Sequence, residues 1–164
     1  MLNVTATSGL PITYSSSDNN IAKVEGNKIV PVNAGFCSII ANQAGNNIFP
    51  QVSVSTNIEV EKANQILTFT NNGLWAVSQT YTLNGSASSG LAVSYSVING
   101  ASKVNIVNNQ VSFLANGEIT IRATQSGNQN YFPSNTVDVN FETCSNIKPI
   151  IIQNWRCKDR KSVV

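Results

Sequence analysis

A chain of 164 residues with 11% charged side chains, a net charge of +2 and no histidine lacks the commonest acid–base group of enzymes. No stretch of it approaches the roughly 20 consecutive apolar residues that a membrane-spanning helix needs. Asparagine occurs 24 times beside abundant serine and threonine, so the surface is polar through amides and hydroxyls rather than charge. That suits an extracellular β-protein better than a cytosolic enzyme.

Residues 2–7 alternate apolar and polar side chains, the pattern of a half-buried strand. Ser8-Gly9 turns the chain into a second strand over 12–16, and Asp18-Asn19-Asn20 is turn chemistry, because Asx side chains bond their own backbone and tolerate left-handed φ. Short strands over 22–25 and 28–32 are joined through Gly26-Asn27 as a tight hairpin. A strand over 37–43 turns Cys37, Ile39 and Ala41 one way, and residues 52–60 form the next strand. After the short joint Glu61-Lys62-Ala63-Asn64 come strands over 65–69, 80–83, 93–97, 103–107, 111–114, 118–125 and 135–142. In 118–125 Ile119, Ile121 and Ala123 alternate with Thr120, Arg122 and Thr124, the clearest strand signal in the chain. Apolar residues never recur at helical spacing over ten positions, so essentially no helix is expected.

The chain repeats itself. Ser8-Gly9-Leu10 recurs as Ser89-Gly90-Leu91 and Tyr14 as Tyr95, an offset of 81. Gly35 and Gly45 recur as Gly117 and Gly127 at 82, while Phe49-Pro50 recurs as Phe132-Pro133 and Asn57-Ile58-Glu59 as Asn140-Phe141-Glu142 at 83. In this register Tyr131 takes the place of Ile48, and Cys37 that of Ile119. A period near 82 exceeds the roughly 20 to 50 residues of a solenoid unit and suits a small sandwich, typically about 100 residues. The expected organisation is an incomplete unit over 1–62, a complete one over 63–143, and a basic tail over 144–164, in which 147–153 reads as the start of a third unit in preference to a cover for the open edge of a neighbouring chain. Counting back from 65–69 passes Met1, so the first unit lacks its first strand and should expose a sheet edge.

With these residues in view, the chain resembles the bacterial immunoglobulin-like repeats of surface adhesins of the invasin and intimin kind. It is still more similar to tandem repeats of large secreted surface proteins of Bacteroidetes. The resembling pieces are SGLPITYSSSDNNIAKVEGNKIVPVNAGFCSIIANQAGNNIFP, the joint VEKANQILTF, and SGLAVSYSV with NGEITIRATQSGNQNYFP, within residues 1–143. The resemblance implies an all-β fold of two tandem immunoglobulin-like Greek-key β-sandwiches, the first lacking its first strand. It also implies a non-catalytic spacer or adhesive role in a longer array of such repeats, at the cell surface or secreted. Any export signal then lies outside residues 1–164, since residues 1–16 carry neither a basic start nor an apolar block. Cys37, where such repeats place an aliphatic residue or threonine, and the ending NWRCKDRKSVV depart from the pattern.

Sites of chemistry are sparse. Serine has no histidine partner and no G-x-S-x-G elbow occurs, and the eight carboxylates are scattered over turns and strand ends. No enzyme and no cofactor is expected. Asp18, Asn19, Asn20 and Glu25, or Glu59 with Glu61, offer oxygen ligands to calcium, but too few carboxylates converge and turn chemistry is the better reading. Cys144 and Cys157 cannot complete a zinc site and either pair or stay free. Residues 1–143 carry five basic against seven acidic side chains, and the tail five basic against one acidic. Five charges without a fold behind them read as solvated, so no nucleic acid is expected.

Tyr14, Tyr95, Phe49 and Phe132 recur at matched sites, which marks them as core. Trp75 has no counterpart in the first copy and, with Tyr131, is the candidate ligand contact; packing against Leu74 is the competing reading for Trp75. The alternative function is therefore a carbohydrate- or protein-binding module that meets a host or surface glycan or protein through the loops 71–75 and 127–131.

Overall fold

The computed structural model describes residues 1–71, 73 and 75–144. The basic tail beyond Cys144, the strand expected over 147–153, and Leu74 and Cys157 lie outside the described residues. The described chain is all-β, with one 3-10 turn at Ala101–Lys103. It divides into two compact units: Met1–Ala63 with Asn128–Phe132, and Asn64–Gly127 with the described residues from Pro133 onward.

The first unit holds β1 (Thr13–Ser16), β2 (Ala22–Glu25), β3 (Lys28–Pro31), β4 (Gly35–Gln43) and β5 (Val52–Val60). β1, β4 and β5 form one antiparallel sheet, and β2 with β3 a hairpin. Cys37, Ile39 and Ala41 of β4 are buried at alternate positions and with Ala22 make up the unit's buried apolar residues. All but Ile39 are small, so this core removes little apolar surface from water.

The second unit holds β6 (Leu67–Thr68), β7 (Trp75–Ala76), β8 (Thr80–Thr82), β9 (Ser86–Ala87), β10 (Ser94–Asn99), β11 (Val104–Val107), β12 (Gln110–Phe113), β13 (Gly117–Thr124) and β14 (Val137–Cys144). One sheet has the order β10-β13-β14-β7, with β7 parallel to β14; β11-β12-β8 and the pair β6-β9 are antiparallel. Leu67, Phe69, Leu83, Val104, Val111, Phe113, Ile119, Ile121, Ala123 and Phe141 form a single buried cluster. Fully burying an aliphatic or aromatic side chain contributes about 1.5–3 kcal/mol, and this unit has many more such residues than the first.

The two units carry the same ladders. Tyr14 pairs with Ala41 as Tyr95 pairs with Ala123. Cys37 pairs with Ile58 as Ile119 pairs with Phe141, and Ala41 with Val54 as Ala123 with Val137. The hydrogen bonds match as well: the backbone N–H of Leu2 donates to the Asn27 carbonyl at 2.7 Å, and that of Leu83 to the Asn109 carbonyl at 2.7 Å.

Four expectations are corrected. Phe49 and Phe132, expected in the core, are 42% and 46% exposed. Residues 2–7 alternate as a strand should but form none, because the counterpart β9 exists only by pairing with β6, and residues 5–7 have no such partner among the described residues. Trp75–Ala76 and Ser86–Ala87 are strands that periodicity does not reveal, two residues being too short to show a period. The loop register also shifts. Asn46 Oδ1 accepts from the N–H groups of Ile48 and Phe49, and Asn128 Oδ1 from those of Asn130 and Tyr131. Tyr131 therefore stands where Phe49 does, not Ile48, and the extra residue falls at Phe132.

Candidate functional site

Trp75 is half-buried. Its ring centroid lies 4.7 Å from Tyr81, 5.2 Å from Phe141 and 5.8 Å from Phe113. Its indole N–H donates to Asn71 Oδ1, while Asn71 Nδ2 donates to the Asn140 carbonyl at 2.7 Å. Edge-on aromatic packing and a satisfied N–H fix the ring against the core of the second unit.

Tyr131 is half-buried in the first unit. Its N–H donates to Asn128 Oδ1 at 3.0 Å, its carbonyl accepts from Asn128 N–H at 3.0 Å, and its backbone bridges Ala63 in parallel. Asn130 beside it accepts from Ala34 N–H at 2.9 Å and donates through Nδ2 to Asn33 Oδ1 at 2.8 Å. Trp75 and Tyr131 thus belong to different units, each held by its own network.

The oxygen-rich loop behaves as a turn: Asp18 Oδ1 accepts from Asn20 N–H at 2.8 Å, and the Asp18 carbonyl from Ala22 N–H at 3.1 Å. Among the described residues no three carboxylate, thiol or imidazole groups gather as metal ligands. Cys37 is a free, buried thiol, whereas Cys144 is disulfide-bonded. Arg122 and Asp138 form a bidentate pair at 2.6 and 2.7 Å on the exposed face of the β13–β14 ladder, which holds the Asp138 carboxyl below its usual range through that hydrogen bond.

Two depressions stand out among the described residues. One in the second unit is lined by Gly85, Val93, Ser94, Tyr95 and Asn108 among others. The other, of about 390 Å³, is a groove in the first unit between residues 4–8 and the outer ends of β4 and β5. Its walls include Val4, Ile12, Phe49, Val52 and Val54, and its floor Ala41 and Gln43; no charged side chain lines it. Sequence reasoning anticipated an open edge here but not a groove, because the two segments that form it, 4–12 and 41–54, are 29 positions and more apart.

No protein-family model matches the chain, and no curated protein does. Solved structures similar to it include surface layer protein SbsC, domains 4–9, at 16% identity and TM-score 0.38, covering 92% of this chain and 24% of that one. The crystal structure of S-layer protein SbsC domains 4 and 5 aligns at 17% identity and TM-score 0.36, covering 82% and 70%. SbsC domains 1–6 align at 16% and 0.37, covering 84% and 20%. The chain spans about a quarter of the length of the first of these. At such scores the likeness decides nothing about its fold or role, and the functional reading rests on its own residues.

Proposed function

We propose that the chain is two tandem immunoglobulin-like β-sandwiches, bounded near residues 1–62 and 63–143, serving as a non-catalytic spacer and adhesive segment of a bacterial cell-surface or secreted protein. One observation carries this reading: several residues that recur at offsets of 81 to 83 hold the same places in the strand ladders of the two units, as Tyr14 and Tyr95 do opposite Ala41 and Ala123. What the duplication preserves is a load-resisting ladder rather than a reactive group.

The strand order supports the immunoglobulin-like assignment. β8 and β9 lie on one continuous stretch, which links β6, β9/β8, β12 and β11 into one layer opposite β10, β13 and β14. The opening segment contributes β6 to the first layer and β7 to the second. The amide- and hydroxyl-rich surface supports an extracellular setting.

Pulling the chain from both ends in a force spectrometer tests the mechanical role. Two separate unfolding events are expected, each releasing on the order of 200 Å of chain, as some 60 to 80 residues extend at about 3.5 Å apiece. A single event, or gradual extension without a force peak, would overturn the spacer reading. An antibody against the chain should also label intact source cells.

A further inference from the structure

Asn3-Val4-Thr5 and Asn84-Gly85-Ser86 stand 81 positions apart, the offset that relates Tyr14 to Tyr95. Of the 24 asparagines, only these two are followed two positions on by serine or threonine. The middle residue differs, and threonine in one tripeptide is serine in the other. The asparagine and the hydroxyl nevertheless hold the same places in both units.

Each asparagine is clamped from both sides in the same way. The N–H before it, of Leu2 or Leu83, donates at 2.7 Å to the carbonyl of Asn27 or Asn109. The N–H after it, of Val4 or Gly85, donates to the phenol oxygen of Tyr14 at 3.2 Å or of Tyr95 at 2.6 Å. Neither asparagine lies in a strand, Asn84 falling in the break between β8 and β9. Asn3, Thr5, Asn84 and Ser86 are all exposed, and neither asparagine side chain bonds to another described residue. Asn46, Asn71 and Asn128 differ in this, since their side-chain oxygens accept backbone N–H groups within turns. Packing does not account for the hydroxyls either. That of Ser86 meets the Thr68 hydroxyl at 2.8 Å, whereas Thr5 has no such partner among the described residues.

We propose that Asn3 and Asn84 are acceptors for asparagine-linked sugars, one on each unit. An amide nitrogen is a weak nucleophile, because its lone pair is delocalised into the carbonyl. A hydroxyl two residues on, with any residue but proline between, is the feature by which transferases recognise such an acceptor on an exposed segment. The co-reactant is an activated sugar, a glycosyl ester of phosphate or pyrophosphate. Nδ2 attacks its anomeric carbon: the N–C bond forms as the C–O bond to phosphate breaks, the phosphate leaves with the electron pair, and Nδ2 gives up one proton. Both asparagines stand outside the strands with their side chains exposed, so an added sugar disturbs neither ladder. The assignment is independent of the spacer role and stands or falls separately from it.

The test is tandem mass spectrometry of peptides from the full chain recovered from its source cells. The peptides that contain Asn3 and Asn84 are each expected to be heavier by a saccharide, with fragments that keep the first sugar on the asparagine. Asn3→Gln and Asn84→Gln should each abolish the addition at their own position and leave the other intact. Both side chains are exposed and unpartnered, so folding should survive these changes. Ser86→Thr should retain the sugar on Asn84, whereas Ser86→Ala should lose it. Unmodified asparagine at both positions would overturn the proposal. So would a sugar carried by the Thr5 or Ser86 hydroxyl instead, or undiminished modification of Asn84 in the Ser86→Ala chain.

Discussion

Tyr14 and Tyr95, 81 positions apart, each accept on the phenol oxygen a backbone N–H from ten residues upstream: Val4 at 3.2 Å and Gly85 at 2.6 Å. A tyrosine that ties its own strand to the preceding segment is therefore common to both units. Both rings also sit opposite an alanine of the central strand, which leaves room for the phenol to reach across.

Tyr95 also donates to the Leu83 carbonyl at 3.2 Å. Burial raises its phenol pKa above 10.0, with the Gly85 hydrogen bond opposing. A folded-state pKa above the unfolded value means that this stability is fully present below the unfolded pKa and is lost as pH rises through the folded one. The urea midpoint should therefore fall as pH climbs beyond about 10. Tyr95→Phe should lower neutral-pH stability by about 1–2 kcal/mol, from two lost hydrogen bonds, and flatten that alkaline decline.

Replacing Trp75 removes three ring contacts at once. Trp75→Ala should destabilise the second unit by about 3 kcal/mol, and Trp75→Phe by distinctly less because most of the aromatic contact is kept. Denaturant titration followed by near-ultraviolet circular dichroism measures both. Unchanged midpoints would show that the indole is held for something other than packing.

Gly45 has φ +78°, and a Cβ there would come within 2.7 Å of the Gln51 nitrogen and the Phe49 oxygen. Backbone cannot yield as a flexible side-chain tip can. Gly45→Ala should cost about 1–3 kcal/mol and loosen the turn in which Asn46 N–H donates to the Phe49 carbonyl at 2.8 Å. Faster hydrogen exchange of the Ile48 and Phe49 amides would register it.

Cys37 is buried and free, standing where the second unit has fully buried Ile119. A thiol reagent should leave it unlabelled in the folded chain. It should react at denaturant concentrations that still leave the aromatic cluster around Trp75 intact, because the first unit has far fewer large buried side chains. Labelling that coincides with the loss of that cluster would contradict this order of opening.

Much of the second unit was legible because its residues alternate with a period of two over long stretches. Ile119, Ile121 and Ala123 face the core as their spacing requires, and Cys37, Ile39 and Ala41 do the same. The misread strand over 2–7 shows the limit of that signal. Alternation states which side chains would be hidden, but a strand needs a neighbour to receive its backbone hydrogen bonds, and no described residue fills that place.

By itself the sequence determined the strand periodicity, the near absence of helix among the described residues and the matching of residues at offsets of 81 to 83, because each is a local pattern or a direct comparison of residues. Only the tertiary structure decided that Trp75 packs edge-on against Tyr81 and Phe141, that Tyr131 matches Phe49, and that Val52 and Val54 border an uncharged groove. These depend on which distant segments share a hydrogen bond or a face, and such pairings arise when the chain closes on itself rather than from the spacing of side chains along it.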